Sequence, residues 1–416
     1  MATTTYKVYG YRWVVLVAFM LTIAVNQLLW ISFAPITSAA ASFYGVSDLE
    51  IGLLSLSFMA VYIVMSIPAS WVIDSRGIRL GVGIGAVLTA VFGLIRGLEA
   101  AGYTVVLVAQ IGIAVGQPFI LNAITKVAAR WFPIRERATA SGLGSLAIYV
   151  GILVGLALTP YLTGALGIPG MLLLYGIVSV VAVAAFLILV RERPPTPPCP
   201  PDQEARSLVL DGLRQTLRKG NFALLMVVFF VGLGVFNAVT TWIENIVGPR
   251  GFSPEQAGIT GGVMIVGGMV GALVLPSLSD RYRRRVPFIT ASLGGAFVGL
   301  VGLTYAGNYA LLLAASFLLG ASLLSAGPIG FQYGAEIAFP APEGTSNGLL
   351  LLMGQISGIV FILGMDSFKS PETGSMTTPL WALIGLLALS IVLSARLKES
   401  SMILAQEASP TSSPGS

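Results

Sequence analysis

Asp74-Ser75-Arg76-Gly77-Ile78-Arg79 ends one long apolar run and begins the next, and Asp280-Arg281-Tyr282-Arg283-Arg284-Arg285 does the same 206 residues later. A second pair keeps nearly the same register: Phe132-Pro133-Ile134-Arg135-Glu136 and Phe339-Pro340-Ala341-Pro342-Glu343 are offset by 207. Both offsets are about half of the 416 residues, so the chain reads as a duplicated unit. Basic loop residues of this kind follow from the positive-inside rule alone. The two Asp residues ask for more, because a carboxylate at a membrane boundary needs a partner. Beside loop arginines and a neighbouring helix N-terminus it forms a latch that can break and re-form. The expected latch and gating residues are Asp74, Arg76, Arg79, Glu136, Arg137, Asp280, Arg281 and Glu343.

The composition fixes the solvent. Hydrophobic residues make up 56% of the chain and charged ones 10%, against about 25% charged in a soluble domain. Mean hydropathy is +0.88. A soluble enzyme is excluded. Apolar segments fall at 11–38, 49–73, 78–98, 103–129, 138–165, 168–190, 221–247, 254–279, 286–306, 309–335, 345–368 and 376–395. Each is long enough for a hydrocarbon layer that needs roughly 20 apolar residues. The fold class is therefore an all-α membrane protein with twelve transmembrane helices, arranged as two pseudo-symmetric six-helix bundles. The first apolar run exceeds the length of a signal-peptide core, so it reads as a span. The bundles are expected at 1–190 and 221–398, joined by a Pro-rich cytoplasmic linker at 191–220, with a disordered Ser- and Pro-rich tail at 399–416. Gly261, Gly262, Gly267, Gly268 and Gly271 mark a close helix–helix seam.

By the positive-inside rule 20 of the 23 basic residues lie on one side, leaving Arg96, Arg250 and Lys369 opposite. Both termini are then cytoplasmic, in a multi-pass protein of the plasma membrane. The net charge of +5 is scattered at helix ends, so nucleic acid is not an expected partner. One Cys and no His leave no disulfide, no thiolate or imidazole metal site, no cofactor ligand and no imidazole catalysis. No nucleophile–base constellation is visible, and the expected partners are a small-molecule substrate and the lipid bilayer, with the chain monomeric.

Gln117, Tyr149 and Gln355 fall roughly 15–20 Å into their spans. Polar groups at that depth face protein or water, either as lining of a substrate cavity or as interhelical hydrogen bonds. No Lys or Arg occupies the middle of a span, so an anionic substrate finds no charged clamp. Glu244, at the end of the seventh span, reads as an interfacial residue, a cation attractor or a proton-coupling carboxylate, and Asp366 shares the last two readings. Glu336 reads as a structural partner for the basic loops. Trp30 lies about 27 Å along its helix from Arg12, a spacing that alone suits an interfacial aromatic belt.

The loop motif, the spans and the repeat together resemble the major facilitator superfamily, whose signature runs Gly-x-x-x-Asp-Arg/Lys-x-Gly-Arg/Lys; here Ser70 replaces the leading Gly. Tyr11-Arg12-Trp13, Asn26, Trp30, Phe43-Tyr44-Gly45-Val46, Pro68-Ala69-x-Trp71-x-x-Asp74, Gln117-x-Phe119, Pro342-Glu343-Gly344-Thr345-Ser346 and Gln355-Ile356-x-Gly358 look like the feline leukaemia virus subgroup C receptor-related (FLVCR) family. That resemblance implies transport of choline and related amines, with older proposals of haem export. It implies substrate-binding roles for Trp30, Gln117 and Gln355, with Asn26 beside Trp30 on the first helix. Two positions depart from the family: Asn237 stands for a Tyr, and Ile148-Tyr149 for Asn-Gln, so Asn237 and Tyr149 complete the expected substrate set. A Trp face suits a quaternary or protonated amine through cation–π attraction.

The expected function is secondary transport of a small cationic or neutral organic solute, a choline-like amine favoured, by alternating access around a site between the two halves. The alternatives are a proton-coupled exporter or symporter of another metabolite or drug, and, in a different class, a non-transporting membrane receptor. Neither the linker nor the tail is large enough for a signalling domain.

Overall fold

The structure is a computed structural model that describes residues 7–198, 219–339 and 343–400. Most of the Pro-rich linker, Arg206, Arg214 and Arg218 among it, and the tail beyond Ser400 lie outside the described residues. Among the described residues the regular structure is helical throughout. The first apolar segment forms α1 (Arg12–Ile31), a single 3-10 turn at Ala34–Ile36, and α2 (Thr37–Tyr44). Pro35 carries no amide hydrogen and so suits the turn between them. Gly45, in the left-handed region at φ 67°, ends α2. A Ser47–Glu50 capping box then starts α3 (Asp48–Arg76). Next come α4 (Ile78–Leu98), α5 (Tyr103–Leu121), α6 (Ile124–Trp131) and α7 (Ile134–Leu189).

Eleven helices among the described residues are long and apolar enough to cross a membrane. At 56 residues α7 would run about 84 Å, nearly three hydrocarbon thicknesses. Gly167 breaks it at φ 70°, ψ 172°, a conformation that only glycine adopts readily, and Pro169 follows. The two arms are consecutive spans, and with them the count is the twelve that the apolar segments predict. The remaining helices are α8 (Gly220–Thr241), α9 (Ile243–Val247), α10 (Pro254–Tyr282), α11 (Val286–Tyr305), α12 (Tyr309–Ala338), α13 (Glu343–Ser367) and α14 (Thr377–Ser394).

Packing sorts the described residues into two compact units. Unit 1 takes those of 1–205 together with 240–262, and unit 2 those of 206–239 and 263–416. The seventh apolar segment therefore divides: α8 up to Val239 belongs to unit 2, whereas α9 and the start of α10 pack within unit 1. The core of unit 1 joins Val15, Phe19 and Ile23 of α1 to Val82 and Ala86 of α4 and to Val183 and Phe186 of α7. Large apolar side chains also point outward, among them Val64, Ile67 and Trp71 of α3, Ile188 of α7 and Leu273 of α10. Lipid tails solvate such a surface, and water does not.

With lipid as apolar as the interior, helices associate by close fit rather than by the hydrophobic effect. In unit 2 a Cβ on Gly267 would sit 2.2 Å from the Phe317 carbonyl oxygen, and one on Gly271 2.0 Å from that of Ala321. Gly320 reciprocates, its Cβ falling 1.7 Å from the Met264 carbonyl oxygen. The expected seam is thus α10 against α12. Gly261 and Gly262 turn instead to Leu156 and Leu153 of α7, within unit 1.

Gly320→Ala is expected to destabilise the protein by about 1–3 kcal/mol, because the α10 backbone must move. Gly364→Ala, with no atom within 4 Å of its added Cβ, should leave the melting temperature unchanged or slightly raised. Thermal unfolding of the two variants in one detergent checks both.

Candidate functional site

Five of the six predicted substrate residues come from α1, α5, α7 and α8, and the sixth, Gln355, from α13; the two units hold them separately. In unit 1, Asn26 and Trp30 lie one turn apart on α1. Asn26 is wholly buried, and its Nδ2 donates to Thr89 Oγ1 of α4 at 3.0 Å. Gln27 Nε2 donates to the Asn26 Oδ1 at 3.3 Å. The Asn26 amide is thus engaged by neighbours inside the bundle. Trp30 is 6% exposed and donates its indole N–H to the Ser55 carbonyl of α3 at 3.1 Å. It pins α1 to α3, and its burial removes the interfacial-belt reading.

Gln117 and Tyr149 differ from these two. Gln117 is 7% exposed, Tyr149 is partly buried, and neither side chain has a hydrogen-bond partner among the described residues. In unit 2, Asn237 Nδ2 donates to the Gly354 carbonyl at 3.1 Å, tying α8 to α13. Gln355, the next residue, is partly buried with an unpartnered amide. Gln117 and Tyr149 in unit 1 and Gln355 in unit 2 thus carry uncommitted polar groups, two amides and a phenol, all neutral. A small, mainly apolar cleft also opens in unit 2, lined by Val228, Phe229, Gly232, Ser292 and Ser322 among others. None of the predicted residues lines it.

Glu244 is 6% exposed and accepts the Ser38 amide of the first turn of α2 at 2.7 Å, where the helix dipole favours a negative charge. Beside it Asn245 Nδ2 donates to Asp48 Oδ2 at 2.8 Å. Both contacts lie within unit 1 and anchor α9 to α2 and α3. Asp366 sits in the last turn of α13, where its carbonyl accepts the Lys369 amide at 3.1 Å.

The latch residues pair differently from the sequence expectation. Asp74 Oδ1 receives Lys126 Nζ of α6 at 2.6 Å, while Arg76 and Arg79 stay exposed. The α4 N-terminus is capped by Glu192, whose two carboxylate oxygens accept the amides of Ile78 at 3.1 Å and Arg79 at 2.7 Å. The same carboxylate pairs with Arg130. Glu136 receives Arg12 side-on, Nε at 2.9 Å and Nη2 at 3.2 Å. Arg137 holds the Ala129 and Phe132 carbonyls at the end of α6.

In unit 2, Asp280 pairs with Arg285, which also reaches Glu336 at 3.3 Å; Arg281 is exposed. The side chain of Glu343 lies outside the described residues. Glu399, expected to open a disordered tail, instead accepts the amides of Arg285 at 3.0 Å and Val286 at 3.2 Å, capping α11.

The sequence holds a signal for this pair of caps. Ile78 and Arg285, Arg79 and Val286, Glu192 and Glu399 are all offset by 207, the offset of the second loop motif. Arg96 is the other residue that sequence reasoning misses. Assigned by sequence to the sparsely charged side, it is 0% exposed inside unit 1. Gly93 and Gly97, one turn and one residue away, let neighbouring helices close around it; a Cβ on Gly97 would meet the Leu173 backbone at 2.5 Å.

Comparison with known proteins agrees with this architecture. The family model described as Major Facilitator Superfamily matches residues 9–362. Solute carrier family 49 member A3 of Danio rerio is 32% identical over 387 residues, covering 89% of this chain and 81% of that protein. The Xenopus tropicalis protein of the same name is 30% identical, covering 90% and 81%. The choline/ethanolamine transporter FLVCR1 of Mus musculus is 29% identical, covering 92% and 75%. Among solved structures, an inward-facing, unoccupied bacterial homolog of the human lysosomal transporter Spinster aligns with a TM-score of 0.71 at 17% identity, over 96% of this chain and 98% of that one. That likeness concerns the fold alone. Twelve apolar helices, a half-chain repeat and a family match across most of the helices make the chain a member of the Major Facilitator Superfamily, with solute carrier family 49 and FLVCR proteins among its relatives.

Proposed function

We propose that the protein is a secondary transporter of a small cationic or neutral organic solute, a choline-like amine favoured, working by alternating access of its two six-helix halves, 1–190 and 221–398. The observation that carries this reading is the set of unspent neutral groups on Gln117, Tyr149 and Gln355. Amide and phenol oxygens accept from an ammonium or a hydroxyl, and none of the three demands an anion. Relatives named as choline/ethanolamine transporters point to the same chemistry. The Trp30 N–H is already committed to Ser55, so its contribution to a cation comes from the ring face. The protein acts as a monomer in the plasma membrane with both termini cytoplasmic.

Trp30→Ala is a poor probe of the site, since removing a buried Trp that joins two helices costs about 3–5 kcal/mol in its own right. Gln117→Ala and Gln355→Ala are cleaner. Each is expected to raise the KM for choline uptake into proteoliposomes about five- to tenfold, the worth of one hydrogen bond. The melting temperature should stay near that of the parent. Unchanged KM in both variants would remove the proposed site.

Glu244 accepts a helix N-terminal amide, so its carboxylate already serves an anchoring contact within unit 1. Uptake is therefore expected to follow the solute gradient and to be indifferent to an imposed pH gradient. Glu244→Gln should lower stability by about 1 kcal/mol and leave the pH profile of uptake unchanged. Accumulation driven by a pH gradient and lost in Glu244→Gln would replace this reading with proton coupling.

A further inference from the structure

Among the described residues Arg96 is the largest charged side chain wholly enclosed. Its Nη1 is well used: it donates to Gln110 Oε1 of α5 at 2.5 Å and to the Leu29 carbonyl of α1 at 3.1 Å, and lies 3.4 Å from Ser32 Oγ. Its Nε and Nη2 have no partner. Those two nitrogens form one edge of the guanidinium, the edge that grips a carboxylate side-on, and Arg12 uses that same pair on Glu136 in this protein. Among the described residues no carboxylate lies within ion-pair distance of Arg96. Glu99, three residues on, is exposed.

A buried guanidinium with three of its five N–H donors unspent is among the most costly arrangements a protein can hold, and a counter-charge relieves it. A second unspent donor lies close by. The Tyr44 hydroxyl is buried and unpartnered, although the residue itself reaches the surface at the end of α2. One ring joins the two groups: the Arg96 Cζ is 5.6 Å from the Phe33 centroid, and the Phe33 and Tyr44 centroids are 6.5 Å apart. Tyr44 and Tyr175 are the hydroxyl-bearing rings within electrostatic range of the guanidinium. The Tyr175 hydroxyl is already bonded to Thr159 Oγ1 at 2.8 Å, which leaves the Tyr44 hydroxyl free.

We propose that Arg96, with the Tyr44 hydroxyl, forms a closed binding site for a small monovalent anion of chloride size. Its donors are the Nε–H and Nη2–H of Arg96 and the O–H of Tyr44, left unpartnered in the protein, with the Phe33 ring between the two side chains. The enclosure excludes the carboxylate of a larger solute, so this site is separate from the transported amine and does not rest on its identity. Its occupant neutralises the charge that holds Gln110 and the Leu29 carbonyl, and so fixes the junction of α1, α4 and α5. Gln117 follows Gln110 by two turns of α5, about 10 Å away. Tyr44, part surface and part interior, is the side chain that must swing for the anion to come and go.

The test is the melting temperature of the detergent-purified full chain, titrated with sodium chloride against sodium gluconate at constant ionic strength and pH. A saturable rise of several degrees is expected with chloride, and again with nitrate, but not with the bulky gluconate. Arg96→Gln should abolish the anion dependence. Tyr44→Phe, which keeps the ring and loses one donor to the anion, should raise the half-saturating chloride concentration about tenfold. Equal melting temperatures in chloride and gluconate would overturn the proposal, as would an Arg96→Gln protein that folds and keeps the chloride response. If Arg96→Gln does not fold, the Tyr44→Phe titration decides: an unmoved half-saturation point overturns the site, and a shifted one upholds it.

Discussion

The Glu192 carboxylate on the first amides of α4 is the contact on which the order of unit 1 turns. It joins the residue after the sixth span to the start of the third, so the bundle closes on itself at the Asp74 end. The contact also accounts for Gly77. That residue sits at φ 93°, and a Cβ there would fall 2.2 Å from a Glu192 oxygen. Only glycine allows both the turn and the approach of the carboxylate. Glu399 repeats the arrangement on α11 with the same 207-residue offset. The ion pairs around the two caps have diverged: Glu192 takes Arg130, while Arg285 bridges Asp280 and Glu336. The backbone contact is what the duplication retained, since a helix N-terminus needs its acceptor whatever the neighbouring side chains become.

Breaks in the helices obey the same constraint. No water reaches the hydrocarbon layer, so a backbone group freed there must find a protein partner. Between α5 and α6 the residue that anchors the break is Asn122, whose Nδ2 donates to the Ser66 and Ser70 hydroxyls of α3 while its Oδ1 accepts from Tyr62 at 2.6 Å. Between α1 and α2 it is Ser32 and Thr37, bonded back to carbonyls of Leu29 and Ala34. These polar groups hold irregular backbone in place and are not open to a solute. Asn26 and Asn237 also bond protein neighbours, so depth in the bilayer alone does not distinguish binding residues from structural ones.

The spans are legible in the sequence because a run of about 20 apolar residues suits a hydrocarbon layer and little else. The twelve apolar segments match the helices to within a few residues at most ends. The break at Gly167 is legible too, since the boundary between two apolar runs falls there. Side-chain partners are not. Sequence alone matches Asp74 to its nearest arginines, whereas its partner, Lys126, comes from α6. Sequence proximity favours loop neighbours, but packing brings helix faces together regardless of separation. Arg96 reads as a loop charge because it lies near a span end. Its burial depends on α1 and α5 offering acceptors at the right height, Leu29 and Gln110, which no one-dimensional pattern records.

Charge placement bears on what the protein can carry. The carboxylates of Asp74, Glu136, Glu192, Glu244, Asp280 and Glu399 are each engaged by a cation or a helix N-terminus. Arg96 is sealed from any large solute. The proposed solute contacts, Gln117, Tyr149 and Gln355, are dipoles without net charge. A dipolar site costs little to desolvate, and it returns little per contact. Its occupant must therefore gain much of its affinity from apolar surface and from ring faces rather than from a salt bridge. The methylated ammonium proposed above would meet that demand, because its charge is spread over a greasy surface and needs no single counter-ion. A phosphate or dicarboxylate does not. Selectivity in such a site rests on size and shape rather than on charge.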